Sequence, residues 1–185
     1  LKSEGEKAFC AGATFDELMQ VSNMEQGEVF FSGFANVINA MRRCKKVIVG
    51  RVQGKAVGGG VGLISACDYA FAVEAASIKL SELSIGIGPF VIAPAIERKM
   101  GKAAFSDLTL NPTQWKNAYW AKEKGLFTHV FDTADKLDEA VSAFAENLCN
   151  YNPKAMSEMK TMFWRGTEDW DQLLMQRAKI SGRLV

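Results

Sequence analysis

Apolar side chains recur at helical spacing between residues 29 and 41. The positions are Phe30, Phe34, Val37, Ile38 and Met41. This spacing predicts an amphipathic helix that packs one face on a sheet. The basic pair at 42–43 favours the helix C-terminus there, because positive charge offsets the partial negative charge of the last carbonyl groups.

The next segment alternates between strand and helix signals. The β-branched run at 46–52 is typical of a buried strand and ends at the Gln53-Gly54 turn, and the glycine cluster at 58–60 opens a helix that reaches Cys67. Residues 68–73 predict a second strand, and 77–80 are a candidate third. A strand, a glycine turn, a helix and a strand form a βαβ crossover, which implies a parallel sheet.

Helical patterns dominate the rest of the chain. They cover 92–100, 103–110 and 113–124, with glycines at 101 and 125 as stop signals and a short strand at 127–131. Asp135 is predicted to cap the following helix, Asn152-Pro153 to begin another, and a final helix to start near Thr167. The aromatic and basic stretch formed by Trp164, Arg165, Trp170 and Arg177 is interpreted as a subunit interface. We therefore expect an α/β core over residues 1–133 and a helical C-terminal region over 134–185.

Composition narrows the class of protein. The 185 residues are 48% hydrophobic and 23% charged with a net charge of +1, which suits a globular chain with a sizeable core. The charges are interleaved, so no basic surface for nucleic acid or for an anionic membrane is expected. The longest apolar tract, 47–73, contains charged residues and cannot form a membrane span. We expect neither nucleic acid nor membrane as a partner.

The cysteines argue against a metal site and a disulfide framework. The chain has four cysteines without a CxxC pair, and one histidine, His129, for which the strand pattern favours a structural or surface role. Reduced thiols of this kind are typical of a cytoplasmic protein, and no metal or redox cofactor is expected.

The glycine cluster does not fit a nucleotide motif. Leu63 and Ser65 stand where a dinucleotide fingerprint needs a small residue, and the Gly-Lys pairs lack the remainder of a phosphate loop. Glycines at a helix N-terminus can instead expose N–H groups that stabilise a developing anion, or they can serve close packing. A second small-residue turn at 9–13 follows the first strand edge, so two turns could aim N–H donors at one oxygen.

Four short segments carry a more specific signal. They are EKAFCAGA at 6–13, VQGKAVGGGVGL at 52–63, CDY at 67–69 and LSE at 80–82, followed by Gly88-Pro89. In order and spacing they resemble the crotonase superfamily, the enoyl-CoA hydratase/isomerase family, over nearly the whole chain. Compared with a complete family domain, the chain is expected to lack both ends.

The resemblance implies a crotonase-like α/β spiral of ββα units with a helical C-terminal trimerisation region, assembled as a homotrimer or a dimer of trimers. It implies an acyl-CoA substrate, with coenzyme A present only as part of the thioester. The backbone N–H groups of Ala13 and Gly59 would form the oxyanion hole for an enolate. Further substrate or coenzyme A contacts are implied at Phe9, Ala11, Gly12, Gly58, Gly60 and Phe90.

The resemblance also implies which residues would act as acid and base. Family hydratases carry two glutamates, and here the second position is Glu82 whereas the first is Gly62. The apolar neighbours of Glu82 should raise its carboxyl pKa and suit it to proton transfer near neutral pH. One carboxylate suits a double-bond shift better than hydration, although both reactions stay open, as does a catalytically weakened acyl-CoA-binding scaffold. Phe90 and its neighbours replace a glycine-rich turn and should narrow the acyl pocket, which leaves the acyl group of the fatty or branched-chain substrate unspecified.

Overall fold

Two sheets form the framework of the computed structural model, which describes residues 1–185 apart from the side chain of Phe15. The strands are β1 (Ala8–Cys10), β2 (Val49–Val52), β3 (Lys55–Val57), β4 (Tyr69–Val73), β5 (Ser77–Lys79), β6 (Lys116–Asn117) and β7 (His129–Phe131). One sheet has the order β1-β3-β5-β6 and the other β2-β4-β7. Every strand pairing is parallel except that between β5 and β6.

Eight helices surround these sheets. They are α1 (Phe15–Leu18), α2 (Met24–Arg43), α3 (Gly59–Ala66), α4 (Ala93–Leu110), α5 (Ala118–Glu123), α6 (Ala134–Cys149), α7 (Pro153–Phe163) and α8 (Trp170–Gly182), and a 3₁₀ turn spans Glu82–Ile85. The stop signal at Gly101 is visible as a kink inside α4, where φ is 82°. None of the helices in the described part of the chain combines the length and the apolar character needed to cross a membrane.

The predicted βαβ crossover is present as β2, α3 and β4. Val49 pairs with Tyr69 and Val52 with Ala72 in parallel register. The strand β3 between them was not predicted, because its three residues follow directly on the Gln53-Gly54 turn and begin with a charged lysine. β3 pairs with β1 in the other sheet, so the turn at residues 53–54 moves the chain from one sheet to the next.

Several predicted boundaries are wrong, and tertiary contacts explain them. The strand expected at 46–52 begins at Val49, because the Ile48 amide donates to the Asp68 carboxylate (2.8 Å). The helix expected at 113–124 begins at Ala118, capped by the Asn117 side chain, since the preceding residues pair with β5.

The helix predicted to start with Asp135 as its cap is instead capped by Thr133, whose hydroxyl accepts from the Lys136 amide (3.3 Å). The final helix begins at Trp170 rather than near Thr167, and the helix expected at 29–41 extends from Met24 to Arg43.

The Asp68 carboxylate anchors the C-terminal helices to the core. It accepts hydrogen bonds from Lys160 Nζ on α7 and from Trp164 Nε1 (2.9 Å) as well as from the Ile48 amide. Trp164 and Trp170 are each 5% exposed and pack edge to face. The prediction that these two tryptophans form a subunit interface is therefore wrong, because they are buried within the chain.

The helices α2 and α8 cross with their backbones in contact. A Cβ placed on Gly27 would lie 2.7 Å from the Gly182 Cα, and one placed on Gly182 would lie 2.7 Å from the Glu28 amide nitrogen. Only glycine permits this approach, because neither backbone can move aside independently of its helix. The crossing brings the end of α8 close to the apolar face of α2.

We predict that Gly27→Ala lowers the free energy of unfolding by about 1–3 kcal/mol, because the added methyl group forces the two helices apart. Gly33→Ala is the matched control in the same helix. No described atom lies within 4 Å of a Cβ built at Gly33, so alanine there should stabilise the protein by about 0.5–1 kcal/mol. Urea unfolding of both variants tests the crossing, and equal effects would contradict it.

Candidate active site

The carboxyl ends of three adjacent parallel strands, β1, β3 and β5, meet at one edge of their sheet. A cavity of about 240 Å³ opens at this edge. Its lining includes the turn after β1, the N-terminus of α3 after β3, and Ser81 and Glu82 after β5. Open sheets of parallel strands bind ligands at this end, so the topology places three functional segments around one space.

Two backbone turns face the cavity from neighbouring strands. Ala13 follows Gly12, whose φ of +87° permits a sharp turn, and Gly59 is the first residue of α3. The N–H groups of a first helical turn have no carbonyl partner within the helix, and the helix dipole adds partial positive charge there. An oxygen in this cavity would therefore meet donors suited to a negative charge.

Glu82 lies in the 3₁₀ turn directly after β5, with its carboxylate over Gly58. A Cβ on Gly58 would lie 2.6 Å from Glu82 Oε1, so a glycine is required for this approach. Within the described residues, the buried Oε2 has no hydrogen-bond partner. Burial raises the pKa of Glu82 to about 7, and a hydrogen bond from its own amide opposes the shift only in part. Such a carboxyl group exchanges its proton readily near neutral pH.

Gly62 packs against Ile92 one turn further along α3. A Cβ on Gly62 would lie 2.4 Å from Ile92 Cγ2 and 2.7 Å from Ile92 Cβ. Ile92 is 4% exposed and lines the cavity. The isoleucine side chain thus occupies the space into which a side chain at residue 62 would extend.

Aromatic side chains of α2 form an apolar wall of the cavity. Phe30, Phe31 and Phe34 contribute to it, and the Phe34 ring covers Gly59 so closely that a Cβ there would lie 2.1 Å from Phe34 Cζ. The sequence pattern predicted α2 as a core helix but not as part of the site, because helical spacing cannot distinguish a core contact from a cavity wall. Ser181 reaches the cavity through the crossing of α2 with α8 and carries no local sequence signal.

Most of the predicted site residues lie together. Those that line the cavity are Ala11, Gly12, Ala13, Gly58, Gly59, Glu82 and Phe90. Phe9 and Gly60 lie outside the lining: Phe9 is buried in the core, and Gly60 faces Cys10, whose carbonyl oxygen would lie 2.5 Å from an added Cβ. Phe90 folds back over Gly88 rather than extending freely.

His129 lies elsewhere, exposed on β7 and stacked on Phe71 at 5.6 Å between ring centroids. Across the portion of the chain that the structure describes, no group of three or more His, Cys, Asp or Glu side chains could hold a metal ion.

Comparison with known proteins gives concordant matches. The family model described as enoyl-CoA hydratase/isomerase matches residues 1–181. A peroxisomal Delta(3,5)-Delta(2,4)-dienoyl-CoA isomerase of Arabidopsis thaliana is 28% identical over 177 residues, which are 88% of this chain and 62% of that protein. A probable enoyl-CoA hydratase of Rhizobium meliloti (strain 1021) is 34% identical over 155 residues, 82% of this chain and 58% of that protein. The chain thus spans less than two thirds of the length of these two curated relatives.

Comparison with solved structures agrees with the sequence matches. The crystal structure of an enoyl-CoA hydratase from Bacillus anthracis superposes with a TM-score of 0.82 at 28% identity, covering 98% of this chain and 70% of that one. The predicted crotonase-like α/β fold is therefore confirmed, and the match over residues 1–181 establishes that this chain belongs to the enoyl-CoA hydratase/isomerase family.

Proposed function

We propose that this protein acts on an enoyl-CoA thioester, with Glu82 moving the proton and the N–H groups of Ala13 and Gly59 holding the thioester oxygen. The observation that carries the proposal is the position of Glu82. Its carboxylate lies over Gly58, at the mouth of the same turn that presents Gly59 to the cavity. A proton acceptor and an anion-stabilising turn at one cavity are the two groups that enolate chemistry needs.

The oxyanion turns make the proton transfer feasible. Removal of a proton from the carbon next to a thioester places negative charge on the thioester oxygen. A preorganised N–H donor aimed at that oxygen stabilises the transition state by about 3 kcal/mol. The Phe34 ring covers the Gly59 Cα so closely that no side chain fits there, which keeps this turn a bare backbone.

A double-bond shift is the reaction that a single carboxylate supports best. Glu82 would take a proton from C2 of a 3-enoyl-CoA and return it at C4, while the double bond moves from C3–C4 to C2–C3. No water is consumed, and Glu82 ends the cycle as it began. Hydration would instead require a water held for attack at C3 together with a proton delivered to C2, and Gly62 supplies no group for that water. The apolar wall formed by the α2 phenylalanines suits the hydrocarbon part of the acyl group.

A binding protein without turnover is the second candidate. The same two turns and the same apolar wall would bind an acyl-CoA, and the single carboxylate in the cavity is the observation that favours this alternative. Acyl-CoA binding alone does not separate the two candidates, whereas turnover that depends on Glu82 does.

We also propose that the protein is a homotrimer or a dimer of trimers in the cytoplasm. Exposed Met159, Met162 and Phe163 give α7 an apolar face of the kind that subunit interfaces use. All four cysteines, each of them among the described residues, are free thiols, which suits a reducing compartment. Size-exclusion chromatography with light scattering should give three or six times the chain mass, and a monomer would contradict the assembly.

We predict that Glu82→Gln lowers the rate of isomerisation of a 3-enoyl-CoA at least about 100-fold, because glutamine cannot carry the proton. The assay follows the gain of conjugated thioester absorbance. For the wild type, kcat/KM should rise as the pH passes about 7, where Glu82 ionises. Glu139→Gln, a change of an exposed carboxylate on α6, is the control and should leave the rate unchanged.

Three results would contradict parts of this prediction. Full activity of Glu82→Gln would exclude Glu82 as the proton carrier. Rapid hydration of a 2-enoyl-CoA that depends on Glu82 would replace isomerisation by hydration. Tight acyl-CoA binding without either reaction would favour the binding protein.

The buried carboxylate predicts a stability effect that is independent of turnover. Burial raises the pKa of Glu82 from an ordinary value near 4.5 to about 7, so the folded state holds this proton more tightly than the unfolded state does. The resulting stability is complete below pH 4.5 and is lost as the pH rises to about 7. Glu82→Gln should match the wild type near pH 4.5 and exceed it by about 3 kcal/mol above pH 8. Urea unfolding at both pH values measures the difference, and a difference that does not change with pH would contradict the assignment.

A further inference from the structure

The contact between Gly62 and Ile92 lies at the start of α3, and the contact between Gly58 and Glu82 lies at the residue that precedes this helix. Residues 58 and 62 are four apart, and the Gly62 amide donates to the Gly58 carbonyl oxygen (3.3 Å). In an α-helix, four residues rise about 6 Å along the axis, so these two contacts lie about one turn apart. The start of the helix therefore has two bare Cα atoms about one turn apart, one against the Glu82 carboxylate and the other against the Ile92 side chain.

This arrangement limits which side chains can lie near Glu82. A side chain at residue 62 would extend toward Ile92, which lines the cavity, and the Ile92 Cβ and Cγ2 atoms occupy that path. Gly62 has no positive φ, so its backbone conformation does not require glycine, and the three atoms nearest to an added Cβ all belong to Ile92. Ile92 is also almost fully buried, so it cannot rotate into solvent to make room.

Water is excluded by the same contact. A buried water molecule needs two to four polar partners, and an isoleucine side chain provides none. The space over Gly62 therefore neither has room for a water molecule nor offers it a polar partner, whereas Ser81 and Ser181 line other parts of the cavity.

We propose that Ile92 is the residue that determines the reaction, by filling the space over Gly62 and keeping the cavity free of an attacking water, so that Glu82 shuttles a proton within the substrate instead. The proposal rests on the proposed function, since it assumes that Glu82 is the acid/base. It assigns a specificity role to a side chain that carries no charge and makes no hydrogen bond.

The test exchanges the two residues. Gly62→Glu combined with Ile92→Ala installs a carboxylate in the space that the isoleucine leaves, and it approximately conserves volume. Gly62→Gln with Ile92→Ala is the matched control of equal size without the charge. Each double variant is first checked for cooperative thermal unfolding, and both reactions are then assayed with a 2-enoyl-CoA and a 3-enoyl-CoA. We expect the ratio of hydration to isomerisation to rise at least tenfold in the glutamate variant and to change little in the glutamine variant.

A folded glutamate variant whose ratio equals that of the wild type would overturn the proposal. So would a wild type that already hydrates the 2-enoyl-CoA faster than it isomerises the 3-enoyl-CoA, although Glu82 could then still be the acid/base. A wild type that turns over neither substrate would overturn the proposed function. In that case, hydration gained by the glutamate variant but not by the glutamine variant would still support the role of Ile92, and no gain would overturn it.

A thermal unfolding cycle tests the packing without any assay of turnover. Gly62→Ala should lower the Tm of the wild type, because its Cβ meets Ile92. In the Ile92→Ala background the same change should leave the Tm unchanged or raise it, because the space is free and alanine is the better helix former. Equal Tm shifts in both backgrounds would show that Ile92 does not occupy the space.

Discussion

The parallel alignment of β1, β3 and β5 is the constraint on which the rest of the site depends. Because neighbouring parallel strands end at the same edge, the turn with Ala13, the turn with Gly59 and the segment with Glu82 converge without any direct bond between them. Sheet hydrogen bonds fix their separation more firmly than loop contacts could. The Gly58 amide, which donates to the Lys79 carbonyl oxygen (2.9 Å), extends this ladder to the start of α3. Strand register therefore sets the relative positions of the two backbone turns and of the segment that carries the Glu82 carboxylate.

The same edge of the sheet holds a carboxylate whose charged form is costly to bury. Glu82 is held in an apolar setting with one oxygen unpaired among the described residues, and burial accordingly raises its pKa to about 7. A fold selected only for stability would pair or expose this carboxylate. Asp68 shows the contrast, because it is equally enclosed but accepts from Lys160, from Trp164 and from a backbone amide. One buried carboxylate anchors helices, whereas the other retains an exchangeable proton.

The sequence predicted the parts of this structure that local chemistry decides. Glycines at 58–60 marked the start of a helix after a strand, and the apolar neighbours of Glu82 indicated a raised pKa. It did not predict β3, which is three residues long and is defined by its partners rather than by its own pattern. Ser181 was also missed, since only the crossing of Gly27 with Gly182, more than 150 residues apart, brings it to the cavity. Contacts between residues distant in sequence determine both the strand β3 and the position of Ser181.

The glycines at residues 58, 59 and 62, where the chain enters α3, shape the site because each lacks a Cβ atom. At Gly58 the missing Cβ admits a carboxylate, at Gly59 it admits the Phe34 ring, and at Gly62 it admits Ile92. Each gap is filled from a different element: the turn after β5, α2, and the start of α4. Each of these glycines is therefore matched by a contacting residue that lies far away in sequence. Gly62, where the resemblance predicts a carboxylate in a hydratase, can be interpreted only together with Ile92, because an empty space would admit water whereas an isoleucine excludes it.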